Sequence, residues 1–297
     1  MKLMNLFGVD VMRLNHNLAT LNIYRNQLKV ADSQSKALNN ITTGYKINSA
    51  KDNPNAIAQS ERMRIQIRGI QMASRNVQDG MSMLQTADGA LDSISTALRR
   101  MKELTIQAGS ASSTDDRQVI QNEIDQMKDL INQTSQNNEY NGVKLLNDNN
   151  VTSNDSPESI NMITGANVGE SIAIPKYNIS TALLGSNKTT DKLSNISVLN
   201  DVGISNAIDT INGSLETVNS IRSKYGALEN RFEGLYQNLD SISVSLQGAE
   251  SGLRDADLAS EMIDYSKAGI LIDAGNAMMV QSNNFPKDIL RVLENVK

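Results

Sequence analysis

Two long stretches of this chain repeat an apolar residue at every seventh position, and that spacing leaves few folds open. Met63, Ile70, Val77, Leu84, Leu91 and Leu98 form the first series. Ile211, Val218, Tyr225, Phe232, Leu239, Leu246 and Leu253 form the second, with Ile221, Leu228, Leu235, Ile242 and Ala249 at intermediate positions. A seven-residue repeat keeps one face of a helix against a partner helix along its whole length. Each run covers roughly 40–50 residues, or about 60–75 Å at the helical rise. Ordinary globular helices average about 11–12 residues. The spacing therefore predicts two helical rods packed along a seam, and rods usually serve structure or assembly.

Composition agrees with narrow seams. Hydrophobic residues make up 39% of the 297, with three Phe, seven Tyr and no Trp, so Ala, Leu, Ile, Met and Val do the packing. The net charge of −5 and the absence of a basic tract argue against a nucleic-acid partner. No apolar stretch reaches about 18 residues, so no membrane insertion is expected. Without cysteine there is no disulfide, iron–sulfur or thiolate chemistry.

Along the chain, a first helix is predicted over residues 14–42, with Leu14, Leu18, Leu21, Leu28, Ala31, Leu38 and Ile41 on one stripe. Thr43-Gly44 ends it, 48–55 reads as a polar loop, and Pro54 suits the first turn of the rod that follows to about residue 108. Thr114 or Asp115 can cap a third helix to residue 134, with Ile120, Ile124, Met127 and Ile131 on one face. Asn141-Gly142 marks a turn, and short β segments are expected at 159–163 and 170–174, joined through 164–167. Helix resumes over 205–253. A last helical segment covers 257–295, with an interruption near Asn283-Asn284-Phe285-Pro286. The fold class expected is mainly α: an elongated antiparallel helical bundle or coiled coil, with the terminal helices paired and a small β-hairpin insert. The apolar stripes of the terminal helices have little chain left to cover them, which predicts association.

Catalytic, cofactor and metal sites find no support in the residues. His16 is the single histidine, and a metal site or dyad needs convergent partners. Asp255, Asp257 and Glu261 read as a helix start whose charge complements the dipole. Neither a phosphate loop nor a dinucleotide fingerprint is present. Met63, Met81, Met101 and Met127 fill seam positions, and Arg62, Arg64 and Arg68 read as a solvated face. No enzyme is expected.

Five segments in order carry a family likeness: Met12-Arg13-Leu14-Asn15-His16-Asn17-Leu18-Ala19-Thr20-Leu21-Asn22, Thr43-Gly44-Tyr45-Lys46-Ile47-Asn48-Ser49-Ala50, Arg68-Gly69-Ile70-Gln71-Met72-Ala73-Ser74-Arg75-Asn76-Val77-Gln78-Asp79-Gly80, Tyr140-Asn141-Gly142-Val143-Lys144-Leu145-Leu146 and Leu253-Arg254-Asp255-Ala256-Asp257-Leu258-Ala259-Ser260-Glu261-Met262. Together they resemble bacterial flagellins of a short form. The resemblance implies a structural subunit, secreted through the type III export channel, that polymerises into the flagellar filament for motility. It divides the chain into an extension at 1–11, an inner-tube helix at 12–50, an outer-tube rod at 51–146, a hairpin and variable insert at 147–205, an outer-tube return helix at 206–254 and an inner-tube helix at 255–297. Filament assembly would use Leu14, Leu18, Leu21, Leu28, Leu38, Leu258, Met262 and Ile289.

The implied partners are copies of the same chain, an export chaperone at the C-terminal helices, and hook-associated and cap proteins. A host Toll-like receptor is a further implied partner, at Arg100, Leu104 and Glu123. Two alternatives remain. One is a hook–filament junction protein, disfavoured by the Arg-Asn-Val-Gln-Asp-Gly and Asn-Gly-Val-Lys-Leu-Leu words; the other is a secreted adhesin or receptor ligand that does not polymerise. A metalloprotease insert is excluded, because 147–205 contains no histidine. The 1–11 extension, the loop at Lys51-Asp52-Asn53-Pro54 and the end at Asn283–Lys297 depart from the usual pattern.

Overall fold

The computed structural model describes residues 17–294 except 111–112, 149–150, 152–153, 155 and 186–191; near the end of the last helix, side chains are described to Asp288 and at Arg291. The extension at 1–11, Leu14 and His16 lie outside the described residues, as does the Ile289 side chain. The elements are α1 (Leu18–Thr43), α2 (Pro54–Ser110), α3 (Thr114–Asn137), β1 (Glu158–Ile163), β2 (Ser171–Lys176), a short 3-10 turn (Leu193–Asn195), α4 (Asp201–Arg254) and α5 (Leu258–Glu294). They form two compact units, one within Met1–Arg64 and Gly248–Lys297, the other Ile65–Gln247. The fold is a mainly helical bundle with a small β insert.

In the unit 65–247, α4 runs antiparallel to α2. Arg222 bonds Asp88 and Asp92 at 2.9 Å, and Phe232 lies against Gly80, so rising α4 numbers meet falling α2 numbers. The heptad positions supply the buried face: Val77, Leu84, Leu91 and Leu98 on α2, and Ile211, Val218, Tyr225 and Phe232 on α4, are fully buried. Each such side chain contributes about 1.5–3 kcal/mol through loss of water contact. Ile70 and Leu239 are also buried, and Leu246 packs partly against the core. Ile242 departs from the heptad expectation at 40% exposure. It lines an open cleft of ≈ 760 Å³ between α4 and the turn that joins β1 to β2.

The third helix begins one residue earlier than expected. Ser113, in extended backbone, is its N-cap and accepts from the Asp115 amide at 3.2 Å. That leaves Asp115 and Asp116 in the first turn, where carboxylates complement the helix dipole. Gln121, buried at 8%, ties α3 to the chain before α4: its amide donates to Ile196 O at 3.4 Å and its carbonyl accepts from Val198 N at 2.9 Å. Replacing Gln121 with Ala orphans both backbone groups, so the unit should lose about 1–3 kcal/mol. Urea unfolding checks this; a loss within 0.3 kcal/mol or so would show that water replaces the side chain at no cost.

The two strands pair antiparallel, from Glu158 opposite Lys176 to Ile163 opposite Ser171. The second outlasts its expected end because Pro175 sits within it; in a two-stranded ribbon every strand is an edge, where proline is tolerated. Ile172 and Ile174 enter the core. Gly80 is required where the hairpin crosses α2, since a β-carbon there would lie 2.6 Å from Met162 Sδ and 3.4 Å from Phe232 Cζ. Tyr225 donates to Pro175 O at 3.0 Å, and burial pushes its hydroxyl pKa far up.

The other unit pairs α1 antiparallel with α5: Thr20 meets Ser282 at 3.0 Å, Gln27 meets Asn276 at 2.5 Å and Asn40 meets Glu261 at 3.0 Å. Gly44, at φ 75°, ends α1 in the left-handed region and returns its N–H to Asn40 O at 2.9 Å. The chain after it is pinned to the α4–α5 junction by Lys46 N to Arg254 O at 2.9 Å and Ala256 N to Gly44 O at 2.8 Å. Arg254 stacks on the Tyr45 ring at 4.8 Å and pairs with Glu61 at 3.3 Å. The loop before α2 is wound around Asp52, whose carboxylate accepts from the Ser49 amide and hydroxyl and the Asn48 amide. Those bonds, led by the Ser49 amide, hold its pKa below the ordinary range.

The expected interruption near residues 283–286 does not occur. α5 continues through Pro286 to Glu294. The carbonyl that proline leaves unserved, Ser282 O, accepts instead from the Asn17 side chain at 2.8 Å.

Candidate assembly surface

The α1–α5 pair is built the reverse way from an ordinary helix pair. Its inner seam is polar. Besides the pairs at Thr20, Gln27 and Asn40, Gln34 lies over Gly269 and Gln27 over Gly275, where the missing side chains leave room for an amide. On α1 only Ala37 and Asn40 are buried, and on α5 Ala268 is the buried apolar residue among those described.

The large apolar residues face outward. Leu18, Leu21, Leu28 and Leu38 on α1, and Leu258 and Met262 on α5, are all exposed, from 43% at Leu21 to 67% at Leu18. Other outward residues were not picked out by sequence: Tyr24 on α1, and Ile263, Ile270, Met278, Val280 and Phe285 on α5. A shallow groove of ≈ 440 Å³ lies between the two helices, with Val30 and Leu271 at its base and Lys36, Glu261, Asp264 and Lys267 around it. Opposite charges on its rim offer specificity, while the leucines outside it offer area.

Contiguous apolar surface of this kind is unfavourable in water. Each leucine left exposed forgoes about 1.5–3 kcal/mol that burial would yield. A surface that is apolar outside and polar within can only gain by packing against another surface of the same chemistry.

The other sequence-selected residues divide. The buried heptad positions form the core of the 65–247 unit, while Met63 and Leu253 are half-buried. Arg100 and Glu123 pair across α2 and α3 at 2.7 Å, with side chains 50% and 43% exposed, and the Glu123 bond raises the Arg100 pKa. Leu104 is 1% exposed and belongs to the core, so its side chain cannot meet a receptor in this conformation. Among the described residues no group of His, Cys, Asp or Glu is arranged to hold a metal ion, and no helix is long and apolar enough to cross a membrane.

Comparison with known proteins accords with this geometry. Residues 14–151 match the family of the bacterial flagellin N-terminal helical region, and residues 208–293 that of the bacterial flagellin C-terminal helical region. The flagellin of Halalkalibacterium halodurans is 35% identical over 95% of this chain and the whole of its own length. The flagellin of Bacillus subtilis is also 35% identical, over 95% of this chain and all of that protein. Among solved structures, a Vibrio parahaemolyticus protein ascribed to the flagellar hook-associated class shares the fold at TM-score 0.55. It is 12% identical and covers 69% of this chain and 100% of its own.

Proposed function

Because the chain belongs to the bacterial flagellin family, we propose that its α1–α5 pair is the surface through which it polymerises. The chain is a structural subunit of the extracellular flagellar filament; it polymerises with copies of itself and associates with hook-associated proteins. The observation that carries the proposal is the outward set Leu18, Leu28, Leu38, Leu258 and Met262 around a polar inner seam. Neighbouring copies bury one another's leucines there, and the bonds at Gln27 and Asn40 keep the two helices presented as one face. Burial of roughly 1,000 Å² per contact would yield about 25 kcal/mol before the large entropic costs of association.

On this reading 12–50 and 255–297 line the inner tube, and the 65–247 unit stands in the outer layer. The export chaperone binds α5, whose exposed Ile263, Ile270 and Val280 need cover before assembly. Cap proteins meet the same face at the growing end. A host Toll-like receptor meets the exposed Arg100–Glu123 pair; Arg100→Ala should then lower receptor signalling by about tenfold or more, as for a central charged contact. The direct test of polymerisation is elongation. Purified subunit seeded with filament fragments should lengthen them, whereas seeds that stay the same length across a range of salt would leave a non-polymerising adhesin as the better account.

A further inference from the structure

Pro286 stands inside α5. A proline within a helix leaves the carbonyl four residues earlier without its bond, at a cost of about 3 kcal/mol or more. Here that carbonyl is Ser282 O. Asn17 Nδ2 donates to it at 2.8 Å, while Asn17 Oδ1 accepts from Thr20 N at 3.1 Å as the N-cap of α1. One amide group therefore serves both helices, its acceptor end starting α1 and its donor end filling the gap in α5. Thr20 Oγ1 adds bonds of 3.0 Å to Ser282 Oγ and to Asn283 Oδ1.

We infer that Asn17 is a clasp: a positioning residue that carries α5 across its proline gap only when α1 has formed. The start of one terminal helix and the end of the other then become ordered in a single step. The break that the sequence leads one to expect at residues 283–286 is the state of α5 with Asn17 away. A chain whose α1 is unfolded keeps the last turns of α5 loose, and docking of α1 makes the two-helix face continuous. The clasp concerns the pair alone and not what packs against it, so it stands or falls independently of filament growth.

The residue type is what makes the inference testable. Serine is as good an N-cap as asparagine but has no donor that reaches across to Ser282. A plain cap predicts that Asn17→Ser behaves as the parent chain. The clasp predicts that, in dilute full-length subunit, amide exchange over residues 288–291 speeds up by about tenfold, the loss of one well-placed hydrogen bond. Amides in the first turns of α1 should change far less. Pro286→Ala restores the local N–H, so in that background Asn17→Ser should have no effect on residues 288–291. Equal exchange in Asn17→Ser and the parent, or an effect of undiminished size once residue 286 is Ala, overturns the clasp.

Discussion

Leu28→Glu leaves the isolated subunit folded and stops filament growth. Leu28 is 53% exposed on α1 and absent from the buried core, so the substitution removes little that the single chain uses. Surface changes of this kind usually alter stability by no more than about 0.5 kcal/mol. Between copies the same carboxylate would be desolvated among leucines, with no cation held there to meet it. Leaving one charge uncompensated in an interface costs about 3–5 kcal/mol. Because about 1.4 kcal/mol is a factor of ten, the concentration needed for assembly should rise by at least about a hundredfold. Thermal melting and sedimentation after seeding read the two effects separately. A variant that melts far below the parent would show that Leu28 serves the subunit's own fold, and one that still assembles normally would remove α1 from the interface.

Phe232→Ala should do the opposite. Its ring is fully buried where α4, Gly80 of α2 and Met162 of β1 converge. Truncating a core phenylalanine costs about 3–5 kcal/mol through lost transfer energy and the cavity left behind. A loss of that size takes away much of the stability of a domain, typically about 5–15 kcal/mol. Assembly should fail here only because subunits unfold, and should recover at lower temperature. Ile242→Ala, two and a half turns further along the same helix, is the control: at 40% exposure its truncation should cost less than about 1 kcal/mol. Denaturant unfolding followed by circular dichroism distinguishes them; equal losses at 232 and 242 would mean that burial does not set the stability of this bundle.

Much of this architecture was legible because long helices enforce periodicity. A helix of 57 residues, such as α2, must repeat its inner face, so the seventh-residue series from Ile70 to Leu98 falls where the buried residues lie. Ile242 shows where arithmetic stops. Its phase points inward, but the turn between the strands stands off from α4 at that level and leaves a cleft. The cap of α3 was ambiguous because Ser113, Thr114 and Asp115 all carry suitable oxygens, and only the backbone's extended geometry at Ser113 selects one. Pro286 was misleading for a different reason. Its helix-breaking cost is local, whereas the compensating donor, Asn17, lies at the other end of the sequence.

The assembly face was half legible. On α1, leucines at three- and four-residue spacings define a stripe against a polar background. On α5, apolar residues at 263, 270, 278, 280 and 285 surround much of the helix, so no single stripe stands out. Leu104 marks the limit of motif transfer: a matched segment gives a position but not a burial, and this position is in the core.

Methionine oxidation tests the central claim most directly, because the chain carries its own control. Met262 and Met278 are 60% and 59% exposed on α5, while Met101 is fully buried in the other unit. Peroxide reaches a thioether only where solvent does. In dilute subunit, Met262 and Met278 should oxidise fast and Met101 slowly. In the filament, Met262 and Met278 should slow by about tenfold or more, with Met101 unchanged. Filaments in which Met262 and Met278 oxidise as fast as in the free subunit would contradict burial of the α1–α5 face between copies.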